Sequence, residues 1–413
     1  MANTLKLGAG KWATGKDTVL SFNDENGNFK PLPFSFSRAS SATVVNQSGL
    51  IETVGSGEPR IDFKDNTEGA LLLEPQRTNN LLQSNQFDTT WVIGASALNL
   101  TSGQSGVGGS NNAWLLKKNT TGARFLQQLL SLSSAQYSYS VYMKAESTNW
   151  ALLWCYDGTN DAEAYFDLEN GVVGNTSGAN LDNVTIESVG NGWYRCTLIY
   201  TQATTLVRIY PAYSNGSVST APDSGIFIQY SQLEQGSYPT SYIPTSGQSG
   251  GVTRVRDLSD TQNLSHVIGQ TEGVIFYDAI LVHKSKDTSE DLFELSIDDG
   301  SNQNIFFINN YNNSLTVGML NGGSYEFTNN SFNPTEGARY KLGFAYKQND
   351  FALYINGNQI ATDSSGTVPS MNQITFGNYY NNQFNLSNSV KVNDFKLYNT
   401  RLSNAELQAL TTI

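Results

Sequence analysis

The sequence has few charged residues and no long apolar run. Only 15% of its 413 residues are Asp, Glu, Lys or Arg. No stretch approaches the roughly 20 apolar residues that a membrane-spanning helix needs, and the opening MANTLKLGAG lacks the apolar segment of a secretory signal peptide. We therefore expect neither a membrane-spanning helix nor export by the general secretory pathway.

Basic residues are also scarce, and they are scattered along the chain. There are 24 Lys and Arg residues against 36 Asp and Glu residues, which gives a formal net charge of -12. An acidic chain without a cluster of cations is a poor partner for a phosphate backbone or an anionic membrane surface. The charge balance argues against nucleic acid as a ligand and against membrane insertion.

Cysteine and histidine occur twice each. Cys155 and Cys196 lie in the strand-like runs WALLWCYD and WYRCTLIY. A disulfide between them is geometrically feasible, but the missing secretory signal favours two free thiols packed in a core. His266 lies in a polar stretch and His283 precedes Lys284, so both are interpreted as surface side chains rather than general bases. No Cys/His spacing typical of a metal site is present, and we predict no catalytic residue and no cofactor.

The residues that are plentiful indicate an all-β fold. The 37 glycines and the many Asn, Ser and Thr residues suit short strands joined by tight turns. Residues 137–144 (YSYSVYMK) alternate between two faces, as a half-buried strand does. The tripeptide ENG at 169–171 and the pair Asn356-Gly357 predict tight turns, the second with the positive φ angles of a hairpin.

Two further local patterns make specific predictions. In residues 390–398 (VKVNDFKLY) the apolar alternation changes phase near Asn393 and Asp394, which predicts a β-bulge. The sequence SNAE at 403–406 has the spacing of a helix capping box and precedes two leucines at helical spacing. One short terminal helix is therefore predicted.

The chain divides into three predicted parts. Residues 1–83 contain apolar pieces but too little regular pattern for a core of their own, which predicts an extended arm that orders in an oligomer or on a partner. Residues 239–251 (PTSYIPTSGQSGG) predict a linker. The strand-and-turn pattern around this linker predicts two tandem β-sandwich domains, at 84–245 and 246–413. A chain that begins near residue 84 is then expected to be monomeric and still folded.

Long segments of the sequence carry motifs of a known kind. FSFSRASSATVVNQSGLIETV (34–54), EPRIDF (58–63) and LLLEPQRTNNLL (71–82) resemble an N-terminal pattern of bacteriophage head-spike and fibre proteins, with one Asn more than the usual Thr-Asn-Leu-Leu ending. YFDLENGVV, NGWYRCTL, SQLEQGSYPTSYIPTSG and TRVRD (253–257) resemble the carbohydrate-binding-module-like domain of such proteins. ALYINGNQI (352–360) and VNDFKLYNTRLSNAELQAL (392–410) resemble laminin-G-like, concanavalin-type jelly rolls.

This resemblance implies a virion protein, assembled in the host cytoplasm, that binds host-surface glycans. It implies that residues 1–83 attach the chain to other virion proteins and hold a homo-oligomer, expected to be a trimer by analogy with phage fibres. The predicted function is that of a non-enzymatic, lectin-like head-fibre or tail-fibre protein. A purely structural capsid or tail decoration protein and a polysaccharide depolymerase are the alternatives.

One candidate glycan-binding segment is Tyr379-Tyr380-Asn381-Asn382. Sugar binding requires aromatic faces that stack on pyranose rings beside side chains that bond hydroxyl groups. These four residues supply both in a predicted loop. A structural role for the two tyrosines is an equally supported interpretation.

A second candidate consists of Trp154 and Tyr156, which lie close to Trp150 on one predicted strand. The same chemistry supports it, because both rings are large and Tyr156 carries a hydroxyl group. However, Trp150 and Trp154 share a face with Leu152. The favoured interpretation of the two tryptophans is therefore that they belong to the core.

The carboxylates are candidates for metal binding and for hydrolysis. Asp350, Asp363 and Asp394 are candidate Ca²⁺ ligands, which would suit a laminin-G-like domain, although ordinary turn aspartates are the favoured interpretation. Retaining glycosidases of the concanavalin-type fold carry Glu and Asp alternating on one strand. SEDLFELSIDDG (289–300) lacks that spacing, and FDLEN (166–170) runs into the predicted turn at 169–171 instead of continuing one strand, so hydrolysis is the least favoured function.

Overall fold

The structure, a computed structural model, describes residues 5–8, 34–94, 98–219, 223–284, 292–311, 314–377 and 388–413. Strands make up 58% of the described residues and helix 3%, and the strands form antiparallel sheets. The predicted all-β, sandwich-like fold is confirmed. The described part of the chain contains no helix with the length and hydrophobicity needed to cross a bilayer.

The elements are numbered along the chain. The first strands are β1 (Leu5–Gly8), β2 (Ser35–Ser37), β3 (Ala42–Val45), β4 (Ile51–Val54), β5 (Ile61–Asp62) and β6 (Ala70–Leu73). The middle strands are β7 (Arg77–Asn79), β8 (Val92–Gly94), β9 (Leu98–Gln104), β10 (Ala113–Lys118), β11 (Phe125–Ala145), β12 (Trp150–Tyr156), β13 (Asp161–Asp167), β14 (Val172–Ser177), β15 (Leu181–Gly190), β16 (Trp193–Ala212), β17 (Gly225–Gln235) and β18 (Val252–Arg254), with a 3₁₀ turn at Val107–Gly109. The last elements are β19 (Leu258–Thr261), β20 (Glu272–His283), β21 (Leu292–Asp298), β22 (Ile305–Tyr311), β23 (Ser314–Asn321), β24 (Ser324–Phe332), β25 (Arg339–Lys347), β26 (Phe351–Ile355), β27 (Asn358–Asp363), β28 (Gln373–Phe376), β29 (Ser389–Tyr398) and helix α1 (Asn404–Thr411).

The chain forms two compact units, and their boundaries differ from the predicted ones. The terminal unit comprises Met1–Gln47, Glu52–Gln76 and Val255–Ile413, and the central unit comprises Ser48–Ile51 and Arg77–Arg254. The two units are therefore not in simple tandem after an arm. Instead, the central unit interrupts the sequence of the terminal unit.

The terminal unit contains two large antiparallel sheets. One has the strand order β27-β26-β25-β20-β29-β6-β5, with β1 also paired to β29, and the other has the order β2-β19-β28-β21-β22-β23-β24. Side chains of both sheets meet in one core, where the rings of Phe306 and Phe344 stack with centroids 5.1 Å apart. Helix α1 adds a second, smaller apolar cluster, in which Leu407 packs with Val274 and Ala345.

The described N-terminal strands belong to this sandwich, which corrects the prediction of an arm without its own core. β1 and β6 both pair with β29, and β2 pairs with β19. Leu5, Phe34 and Leu71 are each 1% exposed. The sequence pattern looked irregular because these strands have only three or four residues and pair with strands that are distant in sequence.

Segments that resemble the phage pattern converge on a buried ion cluster in the terminal unit. Arg60, from EPRIDF, forms an ion pair with Glu74, from LLLEP, at 2.7 Å and another with Asp257, from TRVRD. Arg38, from FSFSRAS, contacts the same Asp257 at 3.0 Å. All four side chains are buried. Because an ion left unpaired in a core is strongly destabilising, the cluster specifies how these four segments come together.

The central unit is built on two long strands. β16 pairs with β15 through its N-terminal half and with β12 through its C-terminal half, while β11 pairs with β16 along most of its length. Register shifts between Leu129 and Ala135 separate the two halves of β11. Side chains from both halves of β11, such as Leu126 and Tyr139, share one core.

The predicted linker at 239–251 is wrong for its first half, which packs into the central unit. Tyr242 and Ile243 are buried. The backbone N–H of Ile243 donates to Gln232 Oε1 at 2.6 Å, and its carbonyl accepts from Asn79 Nδ2 at 2.9 Å. Side-chain amides therefore supply the hydrogen-bond partners of this irregular backbone. Pairing of this kind leaves no periodic pattern in the sequence.

Three local predictions are confirmed. The register between β20 and β29 skips Asn393, which is the predicted bulge. Asn356 and Gly357 have φ angles of 51° and 76°, as the hairpin turn requires. Ser403 and Glu406 form the reciprocal hydrogen bonds of a capping box at the start of α1.

Candidate functional site

Strand β12 of the central unit has two different faces. Ala151, Leu153 and Cys155 point into the main core of the unit. Trp150 and Trp154 lie on the opposite face, where they are partly buried and pack against a second, smaller core cluster that includes Leu152. As interpreted from the sequence, both tryptophans share a face with Leu152 and pack in a core, but this core is separate from the main one.

A ladder of stacked side chains crosses this second face. The rings of Trp154 and Tyr156 are nearly parallel, at 11°, with centroids 5.2 Å apart. The Arg208 guanidinium carbon lies 4.3 Å from the Trp154 ring centroid and 3.9 Å from that of Phe125. The ring centroids of Phe125 and Tyr210 lie 5.1 Å apart, with the two rings tilted by 51°. We call these five residues the aromatic ladder.

A pocket of about 340 Å³ adjoins the aromatic ladder. Strand pairing places Glu163 opposite Trp154, and Trp154 opposite Arg208, in one row across three strands. The Asn215 side chain accepts a hydrogen bond from the backbone N–H of Asn175 at 2.6 Å, which ties the turn after β16 to β14. The pocket is lined by Glu163, Tyr165, Asn175, Thr176, Ser177 and Gly216.

The polar side chains of the pocket have no partner within the described part of the chain. Neither hydrogen bonds nor ion pairs join the side chains of Glu163, Tyr165, Asn175, Thr176 and Ser177 to other described residues. Burial, together with the nearby Asp161, raises the pKa of Glu163. Burial and Glu163 raise the pKa of Tyr165. The pocket thus offers a set of hydrogen-bond donors and acceptors to a ligand with many hydroxyl groups.

Of the predicted glycan-binding residues, the structure places two at this site. Trp154 and Tyr156 are in the aromatic ladder. Tyr379, Tyr380, Asn381 and Asn382 lie outside the described residues, so that segment stays a prediction.

Sequence reasoning missed Arg208, Phe125 and Glu163. Arg208 and Phe125 come from β16 and β11, and only strand pairing brings them beside Trp154. A signal for Glu163 was present, because DAEAYFD alternates Asp161, Glu163 and Tyr165 on one face of β13. Asp161 and Glu163 thus lie two residues apart on one strand, which is the alternating spacing of the carboxylates in retaining glycosidases of the concanavalin-type fold.

The three candidate Ca²⁺ ligands are not gathered in one place. Asp350 pairs with Arg401 at 2.8 Å, and Asp394 pairs with Lys396. Asp363 accepts hydrogen bonds from Ser365 in a turn. Among the described residues, no group of three or more His, Cys, Asp or Glu side chains is placed to hold a metal ion.

The scarce thiols and imidazoles lie outside the pocket. Cys155 and Cys196 are free and buried, as favoured from the sequence, and burial raises the pKa of both thiols. His266 is exposed. His283 Nδ1 lies 3.0 Å from Glu336 at the surface.

The two carboxylates of SEDLFELSIDDG that lie in β21 are buried in the terminal unit. Glu294 accepts hydrogen bonds from the Tyr340 hydroxyl and the Asn310 amide. Asp298 accepts from the backbone N–H of Gly300 at 2.8 Å. Both residues have 0% solvent exposure, so neither is placed to meet a substrate.

The chain is remotely similar to several solved structures. No protein-family model and no curated protein matches the chain. It is similar to the "Ruminococcus gnavus IT-sialidase CBM40 bound to alpha2,3 sialyllactose", at 17% identity and a TM-score of 0.30 over 37% of this chain and 91% of that one. It is also similar to the Botulinum Neurotoxin serotype G binding domain, at 12% identity and a TM-score of 0.31 over 37% and 39% of the two chains. A heptameric SAP-like pentraxin from Limulus polyphemus matches at 14% identity and a TM-score of 0.26 over 33% and 68%. Likeness at this level carries no argument about a ligand.

Proposed function

We propose that this chain is a fibre or spike protein of a bacteriophage virion that binds host-surface glycans without cleaving them. The aromatic ladder and the adjoining pocket of the central unit are the proposed binding site. The resemblance of residues 34–82 to phage head-spike and fibre proteins supports the virion location.

The observation that carries glycan binding is the pairing of stacked rings with unpaired polar groups. Carbohydrates present apolar C–H faces and many hydroxyl groups, so their sites combine aromatic rings with open donors and acceptors. The pocket side chains, from Glu163 to Ser177, have no described partner to displace. Binding would therefore cost little rearrangement of the protein.

The test is binding of the full chain to an array of bacterial surface oligosaccharides, followed by titration calorimetry on the best one. Tyr156→Ala and Glu163→Gln should each weaken binding about fivefold or more, because each removes a stacking or hydrogen-bonding group. The matched control is Tyr325→Ala, which removes a tyrosine that is 62% exposed in the terminal unit. It should leave the affinity unchanged. A chain that binds no oligosaccharide at all would instead support the purely structural decoration protein.

One observation favours the depolymerase as a second candidate. Asp161 and Glu163 lie on one face of β13, and burial and the Asp161 charge raise the pKa of Glu163, as a general acid requires. Release of new reducing ends from a bound oligosaccharide, abolished by Glu163→Gln, would establish hydrolysis. Binding without such release supports the non-enzymatic proposal.

The virion location and the homotrimer have separate tests. An antibody against the chain should label purified virions, with labels on the capsid or on the tail deciding the attachment point.

Light scattering of the full chain should give three times the 45.1 kDa chain mass, and a monomer would contradict the trimer. Several sites on one particle would turn weak sugar contacts into firm attachment.

A further inference from the structure

We propose that the glycan bound at the aromatic ladder carries a carboxylate, which Arg208 binds. This inference rests on the proposed function and names the chemical class of its ligand. Uronic acids, nonulosonic acids and pyruvate ketals are the sugar groups that share this chemistry. The inference starts from the Arg208 guanidinium, which contacts two aromatic rings and forms no ion pair with a described residue.

Arg208 is held in place by uncharged groups alone. Its Nε donates to Gln127 Oε1 at 2.9 Å, and its Nη1 donates to the Tyr210 hydroxyl at 3.1 Å. The rings of Phe125 and Trp154 contact the guanidinium. Across the central unit as described, no carboxylate forms an ion pair with it. A guanidinium has five N–H donors, so three of them have no described acceptor.

The stack also restricts how a ligand can reach this cation. The N–H groups of a guanidinium lie in its plane, and rings that contact its faces leave the edge for a further partner. A carboxylate accepts two parallel hydrogen bonds along such an edge. The geometry therefore suits a planar anion better than a neutral hydroxyl group.

The other charges on this face orient the ligand. Glu163 lies on the far side of Trp154 from Arg208, in the same row of the sheet, and Asp161 and Asp167 occupy the same face of β13. An acidic sugar would meet repulsion at the pocket end and attraction at the ladder end. Its carboxylate is thus directed to Arg208 and its hydroxyl groups to the pocket. The net charge of -12 also disfavours densely charged polyanions, so one carboxylate per bound segment is expected.

The ligand itself supplies the first arm of the test. The full chain is titrated with a set of uronate-, nonulosonate- and pyruvate-containing oligosaccharides, and with the same compounds after reduction of each carboxyl to an alcohol. We expect the acidic form to bind about tenfold or more tightly, as a charge-assisted bidentate contact implies. We also expect added salt to reduce this preference.

Variants supply the second arm. Arg208→Gln should abolish the preference for the acidic form while retaining binding of the reduced form. Arg208→Lys should retain part of the preference, because lysine keeps the positive charge but cannot donate two parallel hydrogen bonds from a planar group. Glu163→Gln is the matched control, expected to weaken both forms of the ligand. Circular dichroism of each variant checks that the central unit is folded.

If acidic and reduced forms bind equally well to the native chain, the carboxylate inference is overturned and glycan binding stands. If neither form binds, and no neutral glycan binds, the proposed function falls and the inference falls with it.

Discussion

Glu294 shows how one buried carboxyl group makes the terminal unit sensitive to pH. It is fully buried, and burial raises its pKa from 4.5 to about 7. Between these two values the folded state holds a proton that the unfolded state has released. The free energy of unfolding therefore falls as the pH rises through this range, by about 3 kcal/mol at most.

We expect Glu294→Gln to remove this pH dependence. The amide has the shape of the protonated acid and carries no charge to desolvate, so the variant should match the native chain at pH 5 and exceed its stability at pH 8. Urea unfolding of the terminal unit, followed by pulsed hydrogen exchange of its peptides at both pH values, measures the change. Glu68→Gln, at an exposed carboxylate of the same unit, is the control. Equal pH slopes in the native chain and in Glu294→Gln would refute the assignment.

At the scale of elements, helix α1 depends on its cap. The Ser403 side chain accepts a hydrogen bond from the backbone N–H of Glu406, and the Glu406 carboxylate accepts from the backbone N–H of Ser403 at 2.8 Å. Leu407 of this eight-residue helix is buried beside Val274 of β20. A helix this short is not stable alone, so cap and packing act together.

Ser403→Ala should lower the free energy of unfolding of the terminal unit by about 1 kcal/mol, which is the usual cost of losing a serine cap. Urea midpoints of native and variant chains measure it. Ser324→Ala, at an exposed serine of β24, is the matched control and should change the midpoint little. Equal effects of the two substitutions would show that the capping box does not stabilise the unit.

At the scale of the whole molecule, the terminal unit needs strands from both ends of the sequence. Leu5, Leu7, Phe34, Phe36, Leu71 and Leu73 are all buried in its core. At about 2 kcal/mol for each buried side chain, they contribute on the order of 10 kcal/mol. This is comparable with the whole stability of a typical domain.

Deletion of residues 1–76 should therefore unfold the terminal unit, contrary to the expectation from sequence that a chain starting near residue 84 keeps both sandwiches. The deletion also removes β1 and β6, two of the strands that pair with β29, and leaves Asp257 buried without Arg38 and Arg60. Hydrogen-exchange protection of β20 and β29 measures the outcome, with β11 and β16 of the central unit as the internal control. Native protection of β20 in the shortened chain would contradict this account.

Local sequence determined the secondary structure of this protein to a useful degree. The all-β class, the bulge at Asn393, the turn at Asn356-Gly357 and the cap at Ser403 were all predictable. Each depends on interactions between residues a few positions apart, such as alternation along a strand, positive φ in a turn or a cap that reaches the third residue of a helix. The proximity of Trp154 and Tyr156 was also predictable, because they lie two positions apart on one strand.

Only the tertiary structure decided how the units and the site are assembled. Arg38 meets Asp257 across 219 positions of sequence, and β1 and β6 complete a sheet whose other strands lie mostly beyond residue 271. The aromatic ladder likewise joins β11, β12 and β16, and the pocket adds β13 and β14. Strands pair along their edges, and the partner strand can lie far away in sequence. The residue pattern of one strand shows which face is buried but not which distant strand lies beside it.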